Sequence, residues 1–140
     1  MKTLHKIALA AILVLGASTV HAGVVVVVGA KSAVVSLDKA QVADIFLGKS
    51  ATFPGGAQAV PVDQAEGSSQ REEFHTKVTG KSGAQLSAYW SKLVFSGKAS
   101  PPKEVPGAAD VKVLVTANPN LIGYIDAAAV DASVKVVFTP

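Results

Sequence analysis

Five consecutive valines at positions 24–28 constrain the fold more than any other feature of this 140-residue chain. β-branched side chains favour extended backbone, and an unbroken apolar run lacks the alternation of a strand with one solvated face. Burial on both faces is typical of a strand inside a parallel sheet that is covered by helices. The run therefore predicts a central strand of an α/β layer, because the same segment at an exposed edge would aggregate.

Strand and helix patterns alternate along the chain after this run. Ser36 is the expected N-cap of a first helix that ends at Gly48, and residues 59–62 form the second predicted strand. Another helix is expected over residues 70–78, and Gly80 is the residue expected to stop it. This alternation predicts an α/β fold with a mostly parallel central sheet of about four strands flanked by helices.

The carboxyl-terminal half continues the same pattern. A capping box at Ser82 opens an amphipathic helix, and residues 98–106, which include three prolines, predict an extended surface connection. A helix is expected over residues 108–117, followed by strands at 121–125 and 134–138. The stripe that predicts a buried face on the amphipathic helix consists of Leu86, Tyr89, Trp90, Leu93 and Val94.

The first 22 residues have the pattern of a cleaved signal peptide. Two lysines precede an apolar segment at residues 7–15, which is too short to span a bilayer, and residues 20–22 form a small-residue cleavage site. We therefore expect one mature α/β domain over residues 23–140, located in the periplasm or secreted.

Composition argues against several classes of protein. The chain has 13 basic and 10 acidic residues, and two of the lysines fall in the leader, so the mature domain is nearly neutral and gives no basis for nucleic-acid binding. It has no cysteine, which excludes a lipid-linked membrane anchor, a disulfide scaffold and a thiol nucleophile. Only His75 remains beyond the leader, so the sequence predicts no metal site and no other cofactor.

One segment has the pattern of a binding site. A hydroxyl-rich turn follows the second predicted strand, and Ser69 is the expected N-cap of the helix behind it. A helix start presents free N–H groups and partial positive charge, which suit an oxyanion. The ligand-binding interpretation assigns the contacts to six consecutive residues, Glu66, Gly67, Ser68, Ser69, Gln70 and Arg71.

A purely structural interpretation of this turn stays open. Ser69 and Glu72 alone satisfy a capping box, which stabilises a helix without any ligand. A hydrolase triad of Ser68, His75 and Asp63 lacks an oxyanion partner, and a single histidine on a charged helix is usually a surface residue. We therefore expect His75 at the surface and no catalytic residue.

Three segments together resemble the phosphate-binding proteins that serve ABC importers. Residues 37–49 end in Ala-Asp-Ile-Phe-Leu-Gly-Lys, and residues 118–124 read Asn-Pro-Asn-Leu-Ile-Gly-Tyr. Between them, Glu66, Gly67 and Ser68 stand where the family has its phosphate loop. The resemblance implies one α/β lobe, the second, of a periplasmic-binding-protein clamshell in a short single-lobe form.

The resemblance is partial at the loop, where the family reads Arg-Ser-Asp-Gly-Ser-Gly-Thr. Glu66 stands at the acidic position that holds the proton of a monohydrogen phosphate, and Gly67 and Ser68 match directly. Gln64 replaces the arginine, which removes a bidentate charged contact, and Arg71 is the substitute countercharge. The remaining family positions Ser, Gly and Thr are occupied here by Ala65, Ser69 and Gln70.

The function implied by this resemblance is non-catalytic recognition of phosphate or a related oxyanion. A single lobe encloses one side of a ligand, so a homodimer or a periplasmic or membrane protein is the expected partner that supplies the second wall. The alternative is an interaction or sensory module that has the same fold and no ligand. An enzyme is not expected, because the sequence places no nucleophile beside a base.

Overall fold

The computed structural model describes residues 23–140, and the predicted signal peptide lies outside the described residues. Within them the strands are β1 (Val24–Gly29), β2 (Val60–Gln64), β3 (Lys103–Val105), β4 (Leu121–Asp126) and β5 (Val134–Phe138). The helices are α1 (Lys39–Phe46), α2 (Ser69–Phe74), α3 (Gly83–Phe95) and α4 (Ala108–Ala117), with a π-helical turn at His75–Thr79 and a 3-10 turn at Ala127–Ala129.

The strands form one sheet in the order β3–β2–β4–β1–β5. β1 pairs antiparallel with β4 and β5, whereas β2 pairs parallel with β3 and β4. The α/β lobe with a helix-flanked sheet is confirmed, but the sheet is mixed rather than mostly parallel and has five strands where about four were expected. β3 gives no sequence signal because it has only three residues and lies inside the proline-rich connection.

The valine run lies inside the sheet, between β4 and β5, and all five valines are buried. Val24, Val26 and Val28 face α1 and α2, whereas Val25 and Val27 face α4. Helices cover both sides of the sheet, so a central strand is buried on both faces whatever the direction of its neighbours. The run therefore predicts the position of β1 correctly and its parallel pairing wrongly.

α4 lies so close to the sheet that only glycine fits beneath it. A Cβ atom at Gly29 would stand 2.1 Å from the carbonyl oxygen of Val115, and one at Gly123 would stand 2.5 Å from Cγ1 of Val111. Both valines are fully buried. No side chain caps the amino end of this helix, so its stability comes from packing against the sheet.

Two other helices begin with reciprocal caps. The Asp38 carboxylate accepts from the N–H of Gln41 at 2.8 Å, and the Gln41 side chain accepts from the N–H of Asp38 at 2.9 Å. Ser36 as the cap of α1 is wrong by two residues, because the N–H of Leu37 still bonds to β5 and keeps the chain extended. The capping box predicted at Ser82 is confirmed.

The apolar stripe of α3 is covered at one end only. Leu86 is buried and Tyr89 and Trp90 are half-buried, but Val94 and Phe95 are 53% and 96% exposed. The prediction of a buried face is therefore wrong for the carboxyl end of this helix. No helix within residues 23–140 combines the length and the apolar character needed to cross a bilayer.

Candidate functional site

The candidate site lies where β2 ends and the chain turns into α2. Gly67 has φ +90°, a conformation that L side chains rarely adopt. The Ser68 hydroxyl accepts from the N–H of Arg71 at 3.4 Å, so Ser68 is the N-cap and Ser69 is the first helical residue. The prediction of Ser69 as N-cap is wrong by one position. Its capping box with Glu72 does not form, because the third helical residue is Arg71, which has no side-chain acceptor.

All six predicted contact residues lie in this turn or in the first turn of α2. These six residues are close together simply because they are consecutive in the chain. What the structure shows beyond the sequence is which of them are exposed and which hydrogen bonds they make. The N–H groups of Ser69 and Gln70 have no acceptor inside the helix, and the helix end is electropositive. Among the six, Glu66, Gly67 and Ser69 are exposed, while Ser68, Gln70 and Arg71 are half-buried.

Gln64 connects the turn to the sheet from below. Its side chain is 1% exposed. Its Oε1 accepts from Ser68 Oγ at 2.9 Å, and its Nε2 donates to Gln70 Oε1 and to the carbonyl of Tyr124, each at 2.9 Å. The Ser68 hydroxyl thus donates inward to Gln64 and accepts from the helix, which gives it a structural role in the turn.

Arg71 points back from α2 across the end of the sheet. Its Nη1 donates to the carbonyl of Gln64 at 2.9 Å and to Glu104 Oε1 at 2.5 Å, and lies 3.9 Å from Asp63 Oδ2. Burial opposes its charge, but Asp63 and Glu104 outweigh that effect and raise the pKa of Arg71. The guanidinium predicted as the ligand countercharge is therefore already paired with carboxylates of its own chain.

Asp63 is the buried centre of this polar cluster, and of the triad considered from the sequence only its pairing with His75 forms. Its carboxylate accepts from the hydroxyl of Tyr124, from the N–H of Gln64 at 2.9 Å, and lies 2.9 Å from His75 Nε2. Burial raises the pKa of Asp63, but the hydrogen bond and charge of His75, then Tyr124 and Arg71, lower it below its ordinary value. Asp63 is therefore a buried carboxylate held in its ionised form.

His75 is 2% exposed, so its expected surface position is wrong. Its Nε2 meets Asp63, and its Nδ1 lies 3.0 Å from Oγ1 of Thr79, on the π-helical turn. Neither ring nitrogen faces Ser68, so these residues do not form a hydrolase triad. One sequence signal could have indicated its burial. Phe74 and Val78 are apolar residues four positions apart on one helix face, and His75 lies next to that face.

Two of the segments that carry the family resemblance, residues 37–49 and 118–124, meet Phe74 of α2 in an aromatic cluster next to the turn. Phe74 stacks on Tyr124 with ring centroids 4.1 Å apart, and Phe46 tilts against Phe74 at 4.7 Å. Burial and the adjacent Asp63 raise the pKa of Tyr124 and keep its hydroxyl protonated as a donor. The cluster fixes the ends of α1, α2 and β4 relative to the turn.

Two cavities border the turn, and Glu66 and Arg71 line both. The first, of about 330 Å³, is lined by residues that include Asp63, Glu66, Arg71, Leu86, Trp90 and Glu104. The second, of about 370 Å³, is lined by residues that include Glu66, Gly67, Arg71, Glu72, His75 and Lys81. Three carboxylates face one guanidinium in the first cavity, so an anion there needs the charge of Arg71. Within residues 23–140 no group of three His, Asp or Glu side chains is placed to hold a metal ion.

A helix-covered α/β sheet with a solvent-facing turn between β2 and α2 is the architecture of one lobe of a substrate-binding protein. Comparison with solved structures confirms the resemblance to the phosphate type. A protein from Clostridium perfringens, assigned as a phosphate ABC transporter substrate-binding protein and solved with bound phosphate, aligns with a TM-score of 0.66 and 27% identity. The alignment covers 82% of this chain and 44% of that protein.

Two further structures show the same fold. An ABC-type phosphate transport receptor from Vibrio cholerae has a TM-score of 0.65 and 21% identity, over 82% of this chain and 45% of its own. PstS from Borrelia burgdorferi has a TM-score of 0.53 and 11% identity, over 82% and 46%. This chain spans less than half the length of the proteins it matches. No protein-family model and no curated protein matches the sequence.

Proposed function

We propose that this chain is an exported, non-catalytic solute-binding domain that recognises phosphate or a related oxyanion at the turn of residues 66–71. The observation that carries the proposal is the exposed helix start at the end of β2, within a fold shared with a substrate-binding protein that was solved with bound phosphate. A helix start with free N–H groups is a general anion-binding feature.

The proposed roles follow from the bonding of each residue. The N–H groups of Ser69 and Gln70 and the exposed Ser69 hydroxyl donate to the ligand, while Glu66 accepts its proton. Ser68 holds the turn through Gln64 rather than contacting the ligand. Arg71 supplies the positive charge once it is released from its own carboxylate partners.

Affinity is expected to be weak for this domain alone. Tight small-molecule sites enclose most of the ligand surface, and the turn offers one wall. A second copy of the chain, or a periplasmic or membrane protein linked to an ABC importer, would supply the other wall. Because residues 1–22 are predicted to be a signal peptide, we expect this binding in the periplasm or outside the cell.

An NMR titration of residues 23–140 with phosphate tests the proposal. Millimolar phosphate should shift the amide signals of Gly67, Ser69 and Gln70, while chloride at matched ionic strength should not. Ser69→Ala should weaken the response, because it removes a ligand hydroxyl and leaves the Ser68 cap in place. Unchanged amide signals at millimolar phosphate would reject the function.

A second candidate is a periplasmic interaction module without ligand binding. It is favoured by the pairing of Arg71 within the chain and by the exposure of Val94 and Phe95 next to the first cavity. Pull-down from periplasmic extract, with Phe95→Ser and a double charge reversal at Lys98 and Lys103, tests it. A melting temperature that rises with phosphate, together with no partner sensitive to these changes, would exclude this candidate.

A further inference from the structure

The contact between Arg71 and Glu104 indicates how the proposed site is occupied before a ligand arrives. Arg71 Nη1 lies 2.5 Å from Glu104 Oε1, on the first cavity. A carboxylate offers a guanidinium negatively charged oxygen acceptors, as a phosphate does. Glu104 therefore occupies the position next to the Arg71 guanidinium that a bound oxyanion would take.

The two carboxylates beside Arg71 are held very differently. Asp63 is fixed by Tyr124, Gln64 and His75, and its side chain is 6% exposed. The Glu104 side chain is 50% exposed and, within residues 23–140, bonds through its carboxylate to Arg71 alone. β3 is also the edge strand of the sheet. Rotation of the Glu104 side chain can thus free Arg71 without disturbing the core.

The sheet register couples this movement to ligand binding. Asp63 and Glu104 are directly paired on the parallel strands β2 and β3, and Arg71 lies against both carboxylates. When an oxyanion takes up the charge of Arg71, the two carboxylates are left to repel each other. The exposed one, Glu104, moves into solvent, because Asp63 is locked in place.

We propose that Glu104 is an internal competitor for the oxyanion, which holds Arg71 in the empty site and sets the affinity by having to be displaced. The inference rests on the proposed function, since it requires an oxyanion at residues 66–71. It adds a residue of β3, distant in sequence from the turn, that determines how strongly the site binds.

Phosphate titration of Glu104→Gln tests this competition, with Glu72→Gln as the matched control. Both variants remove one negative charge near the turn, but only Glu104 contacts Arg71. Glu104→Gln is expected to bind phosphate about fivefold more tightly than the natural chain, which matches the strength of an exposed ion pair. Glu72→Gln is expected to change the dissociation constant by less than about twofold, because its charge acts through solvent.

The outcomes separate this inference from the proposed function. Equal tightening in both variants would show a general charge effect and overturn the competition. Phosphate binding by the natural chain with no gain in Glu104→Gln would overturn the competition and leave the function standing. If neither the natural chain nor Glu104→Gln bound phosphate, both the proposed function and the competition would be overturned. Glu104→Asp, which keeps the charge but withdraws it from Arg71, provides a second folded variant and should also bind more tightly.

Discussion

The two sides of the sheet are stabilised by different forces. α4 lies on an apolar face, where Val111 and Val115 contact backbone at Gly29 and Gly123. α2 is only six residues long, and it meets the end of the sheet through Phe74 and through the charged cluster around Asp63. Packing volume therefore governs the α4 side, whereas the α2 side combines an apolar core with a buried network of charges and hydrogen bonds.

The largest effect is expected from breaking the charged cluster. Asp63→Asn removes the buried counter-charge of Arg71 and disrupts the hydrogen bonds that Asp63 makes with His75 and Tyr124, and the free energy of unfolding should fall by about 3 kcal/mol. Asp110→Asn, in the exposed first turn of α4, is the control and should change it by less than about 1 kcal/mol. Urea denaturation measures both. Equal stability of Asp63→Asn and the natural chain would mean that the cluster does not hold α2.

The next effect concerns the α4 side. Gly29→Ala places a methyl group against the backbone of Val115, and the helix must move to admit it, which should destabilise the fold by about 2 kcal/mol. Gly83→Ala is the matched control, because a Cβ there meets no atom within 4 Å. If Gly29→Ala left the free energy of unfolding unchanged, α4 would not pack as closely on the sheet as described.

A smaller effect distinguishes the two serines of the turn. Ser68→Ala removes the N-cap of α2 and the donor to Gln64, and should lower stability by about 1 kcal/mol. Ser69→Ala should leave stability unchanged, because Ser69 is already inside the helix. Thermal denaturation of the pair tests the assignment. If Ser69→Ala lowered the melting temperature and Ser68→Ala did not, Ser69 would be the N-cap, as the sequence predicted.

The smallest effect is a dependence of stability on pH in the charged region. Because the pKa of Asp63 is lowered in the folded protein, its stabilising contribution is complete above its ordinary value of 3.8 and is lost as the pH falls through the lowered pKa. The stability difference between the natural chain and Asp63→Asn should therefore shrink below about pH 4. The Gly29→Ala difference should stay constant there. A constant Asp63→Asn difference would contradict the lowered pKa.

Local patterns predict the apolar side well and the polar side poorly. The bounds of α4 and β5 follow from hydrophobic periodicity and from Asn118-Pro119, and they agree with the structure. The position of His75 beside Phe74 and Val78 is a weak local signal of its burial, but its partner Asp63 lies on another element and no local pattern contains that pairing. The partner of Arg71 comes from β3, which is too short to produce any strand pattern. The turn was found because its six residues are consecutive, but the pairing of Arg71 with Glu104 was missed because the two residues lie on separate elements that are distant in the chain.

The interior position of β1, between β4 and β5, has a consequence for folding. Val26 pairs with Tyr124 on one side and with Phe138 on the other. The valine strand therefore cannot form its hydrogen bonds until β4 and β5, which lie about 100 residues further along the chain, are present. Pairings this distant along the chain form slowly, and a bare run of valines is prone to self-association meanwhile. The yield of refolded protein should therefore fall as the protein concentration during refolding rises.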